Sequence, residues 1–215
     1  MMALRRSPHS TRHLCFCGWQ SLGILLIVAC AWAALTEARG SGPAGKVEDL
    51  KGSAAADTAQ QHRALDSTSL IYVGDRVSTG AASRLTMRLG TDTTIRLGEN
   101  TQLVIDKFLP ETGGEISLVA GPMLFDRPPG ARRMPVQIRS PYAVLAVRGT
   151  QFFAGPSNGV FGVFVKHGKL KVSAAGTTVT LSPGQGTNLQ SPGAAPTKPV
   201  SWGQSRIDKA YASVR

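Results

Sequence analysis

The sequence predicts an all-β domain of short antiparallel strands and hairpins, in a solenoid-like or two-layer sandwich arrangement, behind an N-terminal signal or anchor helix. Three observations carry this. Ser83 to Leu89 alternates strictly, with Leu85, Met87 and Leu89 on one face and Arg84, Thr86 and Arg88 on the other, the period of a strand with one buried side. Leu85, Ile95, Ile105 and Ile116 recur at spacings of 10, 10 and 11 residues, each followed by a turn rich in Gly, Asp or Asn. The 24 glycines and 13 prolines, with abundant Val, Thr and Ser, favour strands and tight turns over long helices.

The first element is a targeting segment, residues 1–38. Arg5, Arg6 and Arg12 precede the apolar run LGILLIVACAWAAL at 22–35, and Thr36-Glu37-Ala38 offers a cleavage site. A helix of 14 residues reaches ~21 Å, short of the ~30 Å hydrocarbon core, as in a secretory signal. Two alternatives stay open. Residues 14–36 carry no charge and suit an uncleaved membrane anchor, and Ile27-Val28-Ala29-Cys30 resembles a lipoprotein box with Cys30 lipidated. In each case the arginines hold the N-terminus in the cytoplasm, so the expected location of the rest is the periplasm.

Residues 39–45 read as a linker and 46–190 as the β domain. Val47 to Lys51 opens it, and Ala54 to Ser69, polar and without a period, reads as a loop or short helix. Strand signals follow at Leu70 to Val73, Ser83 to Leu89, Ile95 to Leu97, Leu103 to Ile105, Ile116 to Leu118, Met123 to Phe125 and Val136 to Ile138. Val144 to Ala154 reads as a longer strand interrupted by Arg148-Gly149-Thr150. Asn158-Gly159 predicts a hairpin whose two turn residues both take positive φ. His167-Gly168 and Ala175-Gly176 predict two more, and Ser182-Pro183-Gly184 closes the series. Residues 191–215 form a Pro/Ala/Gly linker and a short tail, amphipathic through Ile207, Tyr211 and Val214 or frayed.

Composition excludes several chemistries. Cys15, Cys17 and Cys30 are the only cysteines, leaving the domain no thiolate metal site or disulfide framework. His62 and His167 are isolated, with no metal-ligand spacing. Gly155-Pro156-Ser157-Asn158-Gly159 matches G-x-S-x-G, but a strand follows where a nucleophile elbow needs a helix. Gly184-Gln185-Gly186 lacks the remainder of a dinucleotide motif and reads as a turn. Asp106, Glu111 and Glu115 lie close in sequence without signs of the burial that separates the pKa values of a catalytic pair. No enzyme, metal or cofactor is expected.

Formal charge is +11; residues 41–215 hold 20 Lys and Arg against 12 Asp and Glu, a balance of +8. This suits an anionic cell-wall or outer-membrane polymer or an envelope protein as partner. Nucleic acid is not expected, because Phe152, Phe153, Phe161 and Phe164 have few basic neighbours and read as core.

Five segments, in order, resemble the FecR domain: LIYVGDRVSTG at 70–80, SRLTMRLGTD at 83–92, IRLGENTQL at 95–103, SPYAVLAVRGTQF at 140–152 and VFVKHGKLKV at 163–172. The resemblance spans about residues 45–190. It marks Gly74, Asp75, Arg148, Gly149, Thr150 and Phe152 as motif positions. Gly149 permits a bulge, Arg148 is expected to latch onto carbonyls or a carboxylate such as Asp75, and the Thr150 hydroxyl to close the bend. The resemblance implies an all-β periplasmic region. FecR itself is a transmembrane regulator, with a cytoplasmic module that engages a sigma factor and a periplasmic part that listens to a TonB-dependent receptor. Here the stretch before the apolar run is too short for that module, and residues 191–215 too short for the receptor-contacting part. The expectation is a stand-alone FecR-type binding or scaffold module for envelope proteins or glycans. The alternative is an accessory regulator of cell-surface signalling tied to iron or siderophore uptake.

Overall fold

Alternation in the sequence becomes a layer of strands with one apolar side. The computed structural model describes residues 42–109, 112–131, 134–147 and 149–215. The targeting segment with Cys30, as well as Glu111 and Arg148, lies outside the described residues. The strands are β1 (Gly45–Lys51), β2 (Ala54–Asp57), β3 (His62–Ala64), β4 (Leu70–Ile71), β5 (Arg76–Thr79), β6 (Arg84–Leu89), β7 (Thr93–Leu97), β8 (Gln102–Leu109) and β9 (Gly113–Ala120). They continue as β10 (Met123–Asp126), β11 (Val136–Arg139), β12 (Val144–Val147), β13 (Gln151–Ser157), β14 (Val160–His167), β15 (Leu170–Ala174), β16 (Thr177–Leu181), β17 (Gln185–Leu189) and β18 (Val200–Ser201). A helix, α1 (Gln204–Ala212), follows. Among the described residues no helix is long and apolar enough to cross a membrane.

The strands form two nine-stranded sheets. Sheet I runs β18-β17-β14-β13-β10-β7-β6-β1-β4, and sheet II runs β16-β15-β12-β11-β9-β8-β5-β2-β3. Both orders nearly follow the chain, so the polypeptide advances along the sandwich while passing from one sheet to the other. All strand pairs are antiparallel except β9 with β11. Of the two arrangements the sequence allows, the structure is the two-layer sandwich. Parallel rungs need crossovers of a dozen or more residues, and the turns here are far shorter. The ten-residue recurrence is strand plus turn: Leu85 and Ile95 belong to sheet I, Ile105 and Ile116 to sheet II, and all four are buried in one core between the sheets.

Five expectations are corrected. Residues 54–69 are not loop or helix throughout: β2 and β3 pair as a hairpin at the end of sheet II, and only 58–61 and 65–69 are turn or loop. Ala54 and Ala56 point inward, and their small side chains conceal a period of two that packing enforces. Val144–Ala154 is not one interrupted strand: β12 lies in sheet II and β13 in sheet I, and the chain changes sheet at Gly149-Thr150. His167-Gly168 is likewise a passage between sheets, not a hairpin, because β14 pairs with β13 and β17 whereas β15 pairs with β12 and β16. Ser182-Pro183-Gly184 does not end the series, since β17 and β18 follow; Gly186 sits inside β17 rather than in a turn.

Residues 191–215 are held to the sheet. Thr187 Oγ1 donates to the Thr197 carbonyl at 2.7 Å, and the Asn188 N–H donates to Thr197 Oγ1 at 3.0 Å. The tail forms a helix, and Trp202, Ala210, Tyr211 and Val214 pack on the outer face of sheet I against Leu124, Phe153 and Phe164. Strands β10, β13 and β14 are therefore buried on both faces, which explains their continuous apolar runs MLF and FFA. Gly162 and Gly186 floor the Trp202 pocket. A Cβ on Gly186 would lie 2.2 Å from the indole Nε1, and one on Gly162 2.8 Å from the ring. Arg206 covers the other side of the indole, 3.7 Å from its centroid, and donates to Ser157 Oγ and Asn188 Oδ1 at 3.0 and 2.7 Å.

Candidate functional site: the motif corners and a bare sheet edge

The motif residues fall at two corners. At the first, Gly74 takes φ +93° and donates its N–H to the Ile105 carbonyl at 2.7 Å. Asp75 is fully buried, and its Oδ2 accepts from the Tyr72 N–H at 2.8 Å and from Arg63 Nη2 at 2.5 Å. Arg63 donates a further bond to the Leu70 carbonyl at 3.2 Å and lies 5.3 Å from the Tyr72 ring centroid. The described cation that latches Asp75 is therefore Arg63, on the strand the sequence concealed. The Asp75 carboxylate ties β3 of sheet II to the chain entering β5 from sheet I.

At the second corner Gly149 takes φ +66°, a conformation that favours glycine. Thr150 is fully buried, and its Oγ1 donates to the Lys169 carbonyl at 3.1 Å. A Cβ on Gly168 would come within 2.6 Å of the Gly149 carbonyl oxygen, so the two passages between sheets stack closely. Phe152 is fully buried and stacks on Phe125, centroids 5.3 Å apart. Gly74 and Gly149 thus stand at positive φ where the chain turns, and Asp75, Thr150 and Phe152 are buried.

The polar residues singled out from sequence are dispersed. His62 is exposed and pairs with Asp57, and His167 lies 3.8 Å from Asp126. Asp106 accepts from Ser117 Oγ at 2.7 Å, and Glu115 pairs with Arg139. Ser157 bonds Arg206 beside the Asn158-Gly159 hairpin, where φ is +53° and +78°. Among the described residues no group of three or more His, Cys, Asp or Glu is placed to hold a metal ion.

What the fold does present, among the described residues, is an edge strand with no neighbour on one side. Four strands end the two sheets: β3, β4, β16 and β18. Two of them, β4 and β18, have two residues each, and β3 has three, including His62 and Arg63. By contrast β16 has five, TTVTL, without a charge or proline. Natural edges are normally blunted by brevity, charge, proline or bulges, and β16 has none of these. Its hairpin with β15 closes through Ala175-Gly176, φ +46° and +72°, so Ala174 opposite Thr177 is the hydrogen-bonded closing pair. Bonded and non-bonded pairs alternate in an antiparallel ladder. The N–H and C=O groups of Thr178 and Thr180 thus point away from β15. Sequence reasoning placed this hairpin but not its position at the end of a sheet, because strand order is a tertiary property.

The geometry defines a two-layer β-sandwich with one edge strand of five uncharged residues. Residues 75–171, a little under half of the chain, match the family described as FecR protein. No curated protein sequence matches the chain. Among solved structures, it is similar to a candidate anti-sigma factor from Parabacteroides distasonis solved at 1.65 Å, with 15% identity and a TM-score of 0.51 over 62% of each chain. A second crystal structure, described in the same words and solved at 2.50 Å, gives 15% identity and a TM-score of 0.50, again over 62% of each chain. The likeness is one of fold, and the chain spans about three-fifths of the length of the solved structures it matches.

Proposed function

We propose that this chain is a non-catalytic regulatory module of the bacterial cell envelope, whose β domain holds a partner protein by strand addition along β16. The observation that carries the reading is the five-residue, uncharged, proline-free edge strand of a sandwich whose other three edge strands have only two or three residues. Strand addition draws affinity from main-chain hydrogen bonds and specificity from alternating side chains. The basic targeting segment and the charge of residues 41–215 support a periplasmic setting.

Photo-crosslinking tests this. A photoreactive residue at Thr178 or Thr180, in the chain expressed in its own host, should trap one discrete protein adduct. The same probe at Thr94, on the outer face of sheet I, should not. Thr178→Pro, which removes an outward N–H and spares the β15 ladder, should abolish the adduct and leave the melting temperature within a few degrees. Equal trapping at both sites, or none at either, would overturn the proposal.

The description of the solved structures as candidate anti-sigma factors favours a second reading, an accessory role in sigma-factor signalling linked to TonB-dependent uptake. Deleting the gene should then change transcription of a receptor operon under iron limitation; unchanged transcripts would remove that reading and leave strand addition standing.

A further inference from the structure

The outer face of sheet I carries a group of cations that the fold places against one another. Strand β1 has a bulge between Val47 and Asp49, after which Leu50 turns toward the core and Asp49 and Lys51 outward. In this register Lys51 lies directly opposite Arg84 of β6. One strand further, Arg96 of β7 lies opposite Thr86, on the diagonal from Arg84. Arg215, beyond α1, comes to the same place, and Asp49, Lys51, Arg84, Thr86, Arg96, Val214 and Arg215 line one depression of about 310 Å³.

Like charges directly opposite on neighbouring strands repel, and this arrangement has little to offset the repulsion. Three arginines elsewhere in the domain are paired with carboxylates, Arg63 with Asp75, Arg88 with Glu48 and Arg139 with Glu115. Among the described residues, Lys51, Arg84, Arg96 and Arg215 have no such ion pair, and Asp49 is the only acidic side chain lining the depression. Arg84 donates Nη1 to the Ser83 carbonyl at 2.8 Å, while its Nε is buried without an acceptor. Two guanidinium forks and an ammonium on a rigid sheet form a site for an anion with several oxygens, since guanidinium matches phosphate geometry in two-point contacts.

We infer that this depression is a binding site for a phosphate-bearing group, with Lys51, Arg84 and Arg96 as its ligands and Arg215 at its rim. The phosphate comes either as a membrane-lipid headgroup or on a soluble or polymeric molecule. The site lies on sheet I and is independent of the β16 edge on sheet II.

The test titrates the exported domain with sodium pyrophosphate by calorimetry, and with phosphatidylglycerol or phosphatidylcholine vesicles by co-sedimentation, at low and high salt. Saturable pyrophosphate binding is expected, weakened tenfold or more by R84Q/R96Q and unaffected by R76Q/K107Q, which removes the same charge from sheet II. Sedimentation with phosphatidylglycerol vesicles, lost in R84Q/R96Q, assigns a lipid source; pyrophosphate binding without vesicle binding assigns a soluble or polymeric one. The thermal midpoint of R84Q/R96Q should equal or exceed that of the parent, because the substitutions relieve repulsion. Equal weakening by R76Q/K107Q, or no saturable binding of either probe, would overturn the inference.

Discussion

Asp75 is wholly buried, whereas Arg63 keeps 22% of its side chain in solvent. That difference makes the pair asymmetric. Removing Arg63 strands a carboxylate that water cannot reach, and breaking a buried pair in this way costs about 3 kcal/mol or more. Replacing Asp75 by Asn leaves an acceptor for the Tyr72 N–H and frees a guanidinium that can turn to solvent. Urea denaturation at neutral pH should therefore rank Arg63→Ala below Asp75→Asn; the reverse order would show that Arg63 does not hold this corner. Tyr211 gives a pH-dependent counterpart. Burial pushes its phenol up to about 12, with the Arg215 charge opposing and Asp126 reinforcing the shift. The folded state then retains the phenolic proton through the range in which the unfolded chain loses it. Tyr211 thus makes no pH-dependent contribution below about pH 10, and between about pH 10 and 12 stability falls as pH rises. Because the hydroxyl is buried without a hydrogen-bond partner, Tyr211→Phe should be near neutral at pH 7 and should flatten this alkaline decline. A steeper decline in the variant would contradict the assignment. The motif positions Gly74, Asp75, Gly149, Thr150 and Phe152 were legible as a set from sequence. The cation that pairs with Asp75 was not, because Arg63 sits in an alanine-rich stretch without visible alternation.

At the scale of elements, the alternating strands were readable and the doubly covered ones were not recognised as such. Arg84–Leu89 shows one polar and one apolar face, and it is open to solvent on one side. The apolar runs of β10, β13 and β14 belong to strands with α1 and Trp202 on their second face, and that unbroken apolarity was the available signal. Trp202 holds the helix, packed over Gly186 and stacked with Phe164 at 5.2 Å. Truncating a buried aromatic typically costs 3–5 kcal/mol. Trp202→Ala should lower stability by about 3 kcal/mol, with loss of helical circular dichroism ahead of the strand signal during heating. Coincident loss of both would mean that the helix and sheets melt as one unit. The β16 edge belongs to this scale too: its hairpin could be seen in Ala175-Gly176, while its exposure depends on which strand lies beside it.

For the whole molecule, the two proposed surfaces lie on different sheets, so their chemistry separates cleanly. Thr178→Pro should leave pyrophosphate binding intact, and R84Q/R96Q should leave the crosslink at Thr178 intact; loss of both functions in either variant would point to misfolding. The sequence by itself determined the β character, the inward residues of most strands and the FecR resemblance, because a period of two and turn residues with positive φ act over a few neighbouring positions. Which strands share a sheet, where the chain changes layers, the Arg63–Asp75 pair and the meeting of Lys51, Arg84 and Arg96 were decided only in three dimensions. Each of these depends on contacts between distant segments, and a local pattern does not specify which of several compatible neighbours a strand will pack against.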